Sequence, residues 1–366
     1  MAVYKQSLLV FSTLLLAGFA VSAPLRALCA ETSVQVNPEN NSNLDALLRK
    51  GRELVDLGDY GKAIAIYEQA ARLDAENPRI FSGIGYLEAR QGNYQAAVEF
   101  YQQAISLQPN NADFQYALGY AMANLQNYPA AATAYRRAAQ LDRKNVNALI
   151  GLGVVLFQQQ DYSGAFKAYQ QAIAIDPKSW QAYSSMGLVL IQQGNFSSAI
   201  DILQQAAKLA PKQASVQLKL GTALLRNGNT AEGLAAFEEA AKLEPRNPDV
   251  QLEIGELLKG QNDLDGALVA YQRAVAVRPN LVQAHAAIGE IQLKKQDFLG
   301  AILTFRRVIQ LEPNRAEAYY NLGTALQRRD RTSEAVEAFQ QALDNYRQQG
   351  NNDGIQKAEA ALQQVK

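Results

Sequence analysis

Cysteine, histidine and tryptophan occur once each in this chain of 366 residues, and 35 Lys+Arg balance 35 Asp+Glu. A single cysteine, Cys29, closes no internal disulfide and builds no thiolate metal site. The single histidine, His285, falls where a helix packs on its neighbour, so it is expected to be structural. No convincing Ser/His/Asp or Cys/His set can be assembled around it. Zero net charge argues against the large basic surface of a nucleic-acid binder. No H-E-x-x-H, P-loop or EF-hand string occurs. "GIG" at Gly83–Gly85 and "GLG" at Gly151–Gly153 copy half of a dinucleotide loop, but they lie inside helical patterns rather than after a strand. The chain therefore reads as a non-enzyme without a cofactor.

Its first thirty residues differ from the rest. Lys5 precedes an apolar run, Ser7 to Ala23, and small residues follow, which is the grammar of an export signal over 1–30. Cleavage after Ala30 is preferred to cleavage after Ala23, because Pro24 follows Ala23 directly. Cys29 makes a poor lipid anchor, since Arg26, Ala27 and Leu28 precede it instead of small residues. The run is short for a membrane span, which needs about 20 residues, so a retained anchor is the lesser alternative. Residues 31–43 are polar and Asn-rich and read as a flexible leader.

What the chain has in abundance is a period. Gly51, Gly85, Gly119, Gly153, Gly187, Gly221, Gly255, Gly289 and Gly323 stand 34 residues apart. Twelve residues after each comes Ala63, Ala97, Ala131, Ala165, Ala199, Gly233, Ala267, Ala301 or Ala335. Four further on comes Tyr67, Tyr101, Tyr135, Tyr169, Leu203, Phe237, Tyr271, Phe305 or Phe339. Three beyond that is alanine in every unit but one, where Val308 stands. Prolines close most units. A Gly/Asn/Asp-rich break, such as Gly92-Asn93, splits each unit into two helices. The helices carry apolar residues at helical spacing, and Asn77-Pro78 and Asn247-Pro248 supply an N-cap and a first-turn proline.

A glycine inside a helix costs about 1 kcal/mol relative to alanine. Its recurrence implies close approach of two backbones, glycine against the alanine twelve residues on, with the ring filling the space between one hairpin and the next. Gly233 replaces that alanine in the sixth unit, so its second helix is expected to be the least stable.

This pattern resembles the tetratricopeptide repeat (TPR) family over Leu44 to Gln349. The resemblance implies an all-α right-handed TPR superhelix (solenoid) of nine helix-turn-helix repeats: 44–77, 78–111, 112–145, 146–179, 180–213, 214–247, 248–281, 282–315 and 316–349. Residues 350–366 carry an amphipathic stripe, Ile355, Ala358, Leu362 and Val365, and read as a capping helix.

Function in that family lies on the concave face, and the resemblance implies which first-helix positions build it. They are six and three before the glycine, and one, four and five after. In the early units these give Arg52, Arg79, Tyr86, Arg90, Tyr116 and Tyr120, chemistry suited to a peptide. In the middle they give Ile150, Val154, Phe157, Leu188, Ile191, Leu218 and Leu225. Large apolar groups at groove positions are expected to form an exposed interaction patch. The late units turn charged, with Asp249, Glu256, Lys259, Glu290 and Lys294, then Tyr320 and Arg328. Glu253, Glu256 and Glu290 are a candidate oxygen-ligand set for Mn or another divalent ion, unless Lys259 and Lys294 neutralise them. The family's chaperone-tail carboxylate clamp is absent, because its Lys/Asn positions hold Leu48/Arg52, Ser82/Tyr86 and Tyr116/Tyr120. The asparagine ladder of sugar-transferase arms is met only by Asn321.

The expected function is a non-catalytic scaffold or chaperone that holds an extended segment of another protein. An exported chain made almost wholly of such repeats is similar in architecture to the processing-associated TPR proteins of cyanobacteria. The similarity implies a periplasmic or thylakoid-lumenal photosystem II assembly factor that engages the D1 precursor within a membrane-associated complex. The alternatives are an envelope scaffold for secretion, pilus or cell-wall machinery, and a Mn carrier using the late acidic groove.

Overall fold

A computed structural model describes residues 38–365. The export-signal segment and the first part of the leader lie outside them. The described residues form nineteen helices and no strand, and none of these helices is long and apolar enough to cross a membrane. They divide into two compact units, which meet in sequence at Pro211 and Lys212.

The first unit holds five helical hairpins: α1 (Pro38–Asp56) with α2 (Tyr60–Leu73), α3 (Pro78–Arg90) with α4 (Tyr94–Leu107), α5 (Ala112–Asn124) with α6 (Tyr128–Leu141), α7 (Val146–Gln158) with α8 (Tyr162–Ile175), and α9 (Trp180–Gln192) with α10 (Phe196–Leu209). The second unit holds four: α11 (Ala214–Arg226) with α12 (Thr230–Leu243), α13 (Pro248–Gly260) with α14 (Leu264–Val277), α15 (Val282–Lys294) with α16 (Phe298–Leu311), and α17 (Ala316–Gln327) with α18 (Thr332–Gln348). A last helix, α19 (Asn352–Val365), packs on α18 and α17.

Helix α1 starts at Pro38, inside the segment read as leader. Proline there is compatible with a first turn, because its fixed φ suits the helix and its missing N–H would have no partner anyway. In α19 the buried line is Gly354, Ala358 and Ala361. The larger Ile355, Leu362 and Val365 flank it, half-buried against the neighbouring clusters.

Each recurring glycine receives the ring of its own hairpin, except Gly187, which receives Leu203. A Cβ on Gly85 would stand 2.9 Å from Cε1 of Tyr101 and 3.2 Å from the carbonyl oxygen of Ala97. The ring therefore does more than fill space between hairpins, as the sequence pattern alone suggests. It lies on the glycine, and the alanine backbone closes beside it. Where the next repeat also carries a glycine, the ring is clasped from both sides. A Cβ on Gly151 would come 2.7 Å from Cζ of Tyr135, and one on Gly119 would come 2.8 Å from Cδ1 of the same ring. The break seven residues after each repeat glycine is left-handed in all nine repeats, at Gly58, Gly92, Gln126, Gln160, Gly194, Gly228, Asn262, Gln296 and Asp330. This is the usual residue just past a helix end.

Within the first unit, first helices touch one another, α3 with α5, α5 with α7 and α7 with α9. In the second unit α15 touches α17. Second helices do not approach each other as closely. In each unit the first helices thus form the inner face of the stack, and the second helices its outer face.

Candidate functional site

The middle stripe of the inner face is closed. Ile150 is 2% exposed, Val154 and Leu188 3%, Leu218 6% and Ile191 7%. These residues are core, and the expectation that they form an open apolar patch is corrected. The cause is visible in α7, "VNALIGLGVVLFQ", which is apolar on every side, and such a helix is buried on every side. Ile150 and Val154 belong to one core cluster of the first unit and Leu218 to a cluster of the second, each full burial contributing about 1.5–3 kcal/mol. Phe157 is half-buried, edge-on to Tyr162 at 5.5 Å between centroids. Leu225 turns onto Gly233, where a Cβ would meet its Cγ at 2.8 Å. That packing explains why glycine replaces alanine in the sixth repeat.

The accessible face of the first unit belongs to α2, α3, α4 and α5. Arg90, near the C-terminus of α3, is exposed. Its Nη2 donates to the hydroxyl oxygen of Tyr60 at 3.2 Å, and its Cζ stands 5.8 Å from the centre of that ring. It pairs with no carboxylate among the described residues. The bond to Tyr60 and the neighbouring Tyr86 and Tyr120 hold the guanidinium firmly in its charged form.

Tyr120 is half-buried, with Tyr94 edge-on at 6.3 Å between centroids. Burial and the nearby Tyr94 hydroxyl raise its phenol above the usual range. Asn124 donates from Nδ2 to the Tyr120 carbonyl at 2.8 Å, fixing the end of α5. Behind them Tyr116 is buried against Tyr135, 5.7 Å between centroids, and burial pushes its hydroxyl up to about 12. A crevice of about 10 Å³ lies between Tyr116, Tyr120, Tyr135, Asn147 and Gly151, room for roughly one water.

The structure thus brings Tyr86, Arg90 and Tyr120 together and puts Tyr116 underneath. Arg52 and Arg79 are half-buried and engaged with neighbours, Arg52 through a 3.4 Å bond from Nε to the Leu48 carbonyl. Sequence reasoning missed Tyr60 and Tyr94, because it considered only first helices. The signal was there: the first residue of successive second helices is Tyr60, Tyr94, Tyr128, Tyr162 and Phe196 in the first unit.

The inner face of the second unit is ionic. Arg278 donates to both carboxylate oxygens of Asp249, at 3.1 and 3.3 Å. Lys259 and Glu290 pair at 2.7 Å, both partly buried. Burial opposes the charge on Lys259, but Glu290, Glu256 and Glu317 keep its ammonium above the usual range. Glu253 is deeply set, and burial, with Glu256 and Asp249 adding repulsion against Arg226, raises it to about 7. Among the described residues no group of three His, Cys, Asp or Glu side chains is disposed to hold a metal ion. The Glu253, Glu256 and Glu290 reading as a metal site is corrected accordingly, since Lys259 occupies Glu290. His285 uses Nε2 against the Pro279 carbonyl at 3.0 Å, so that nitrogen carries the proton, in a structural bond.

A tetratricopeptide repeat profile matches residues 48–112, 116–179, 218–282, 252–313 and 286–350, and a second tetratricopeptide repeat profile matches 156–222. No curated protein matches. Among solved structures, a tetratricopeptide repeat protein from Parabacteroides merdae is similar at a TM-score of 0.58 and 18% identity, over 69% of this chain and 99% of that one. PilF of Pseudomonas aeruginosa is similar at 0.50 and 21% identity, over 59% of this chain and 97% of that one. At these identities both show the repeated fold alone.

Proposed function

The chain belongs to the tetratricopeptide repeat family, a protein-interaction fold, and from that premise we propose that it is a non-catalytic scaffold gripping an extended segment of another protein on the inner face of its first unit. One observation carries the reading. Arg90 is exposed, charged and without a carboxylate, and it is framed by Tyr60, Tyr86 and Tyr120. Guanidinium pairs strongly with carboxylate, and tyrosine rings contact apolar side chains at little entropic cost. A partner segment with an acidic group over Arg90 and apolar neighbours over the rings fits that face. Because the aliphatic stripe is closed, the grip moves from α7 and α9 to α2 through α5.

The reading extends to an exported assembly factor for photosystem II that holds the D1 precursor. The export grammar of residues 1–30 and the near-complete tiling by repeats support it. The test is photo-crosslinking from position 86 in living cells, with and without Arg90→Gln and Tyr120→Ala together. A single crosslinked partner is expected, lost in the double variant while helicity by circular dichroism stays. Capture that survives the double variant overturns the site. In a cyanobacterial host the expected partner is the D1 precursor, and capture of a secretion, pilus or cell-wall component instead replaces that assignment.

A further inference from the structure

We propose that the inner face of the second unit contains a subsite for a basic side chain of a bound protein, formed by Glu256 and Glu290 around the buried hydroxyl of Tyr271. The proposal rests on the reading that these inner faces hold another chain, and it names what the second face takes.

The repeat register builds the site. A tyrosine sixteen residues after a repeat glycine turns its hydroxyl towards first-helix residues of its own or the next repeat. Tyr101 is so placed near Tyr86 and Tyr120, and Tyr169 reaches Ser185. In the seventh repeat the Tyr271 ring lies on Gly255, where a Cβ would stand 2.6 Å from Cε1, and its hydroxyl feels Glu256, Glu290 and Glu253. Tyr271 is fully buried, and its hydroxyl lies against Glu256 without a well-formed hydrogen bond to any described residue. Buried hydroxyls are ordinarily satisfied, so an orphaned one needs an explanation.

The surroundings name the ligand. Glu256 is exposed, and Glu253 lies beside it with Arg226 near. Glu290 shares its charge with Lys259 through Oε2. An ammonium offers three donors, enough for Glu256 and Glu290 together, with the Tyr271 hydroxyl set behind Glu256. A metal ion demands oxygen ligands at about 2.0–2.6 Å all round, and the glutamates are not so gathered. A basic head on a flexible stem does not need them to be. The structure thus favours a lysine or arginine over a metal.

The substitution Tyr271→Phe separates a site from a structural role. Phenylalanine already occupies this register position at Phe237, Phe305 and Phe339, so the fold tolerates it. The probe is a fluorescein-labelled dodecapeptide of alternating serine and lysine, read by anisotropy against the full chain. Binding is expected to weaken about tenfold in Glu256→Gln/Glu290→Gln and severalfold in Tyr271→Phe. It is expected to be unchanged in Glu238→Gln/Glu239→Gln on α12. Equal affinity in wild type and the paired inner variant overturns the subsite, as does equal loss in the α12 control. So does wild-type binding of the lysine-acetylated peptide as tight as that of the plain one, a comparison that needs no variant to fold. Competition by free spermidine at concentrations matching the peptide overturns the assignment to a protein side chain. If the lysine peptide is indifferent while crosslinking through the Arg90 face persists, only the subsite falls. If neither face captures anything, the underlying reading falls with it.

Discussion

The two units share one backbone plan and differ at the residue that follows the repeat glycine. In the first unit that residue is Arg52, Tyr86, Tyr120, Val154 and Leu188 in turn, and in the second it is Thr222, Glu256, Glu290 and Thr324. The packing positions barely change: a glycine, an alanine or glycine twelve residues on, and a large apolar or aromatic group sixteen on. The scaffold is fixed by three positions per repeat, and the neighbouring position is left to chemistry, which is how one fold hosts unrelated sites. The first unit fills that position with Arg52, two rings and two buried aliphatics. The second fills it with two threonines and two glutamates, of which Glu290 is neutralised by Lys259.

The largest effect separating the units is expected where the first is driest. Leu188→Asp places a carboxylate in a side-chain site 3% exposed and without a counter-charge. The loss is about 4 kcal/mol or more, since the uncompensated charge adds to the lost apolar burial. Hydrogen exchange should show α7 and α9 opening while α15 to α18 keep their protection. Unchanged protection in α7 and α9 would mean that the stripe is open after all, and the contrast between the units would collapse.

The second unit should instead respond to pH. Glu253 titrates near 7 in the fold and near 4.3 in an unfolded chain. Between those values the folded state holds the proton that the unfolded state has lost. Its contribution to stability is therefore full below about pH 4 and declines as pH rises to about 7, by roughly 2 kcal/mol after allowing for partial exposure. Glu253→Gln should flatten the slope, read as exchange protection of α13 at pH 5 and pH 8. A slope that survives the substitution assigns the titration elsewhere.

Next in size is Gly233→Ala. A simple propensity argument predicts a gain of about 1 kcal/mol. The structure predicts a loss of similar size, because the new Cβ would stand 2.8 Å from Cγ of Leu225 and 3.1 Å from the Gly221 carbonyl oxygen. Adding Leu225→Ala should recover part of the loss, and a double-mutant cycle on urea midpoints gives the coupling. Additive effects would show that Leu225 does not set the glycine.

These cases mark what the sequence made legible. The period revealed the hairpins because close backbone approach tolerates only small residues, so Gly85 and Ala97 recur as a pair. It also brought Tyr86, Arg90 and Tyr120 onto one face. It did not reveal exposure. Val154 and Tyr120 hold the same register position, yet Val154 is sealed within a helix that is apolar all round and Tyr120 is half-open. The apolar circumference of α7 was the available warning. Tyr60 and Tyr94 escaped because they open second helices, although the ring at that position repeats through the first unit and in the second persists only at Phe298, beside Thr230, Leu264 and Thr332.

The smallest effect tests whether the units differ in their turns as well. Among the left-handed break residues, Gln160 stands in the first unit and Asn262 in the second, with φ of 62° and 63°. A side chain beyond Cβ is costly there, except for asparagine, whose short amide tolerates the conformation. Gln160→Gly should therefore stabilise by about 1 kcal/mol, less the extra entropy that glycine loses on folding. Asn262→Gly should gain only a few tenths by the same reasoning. Neither side chain lies in the Arg90 or Tyr271 site, so partner and peptide binding should not move. The two variants together should gain the sum of the single gains, because their breaks lie in different units and share no packing partner. A larger gain at Asn262 than at Gln160 would show that the asparagine is held there by something other than its backbone.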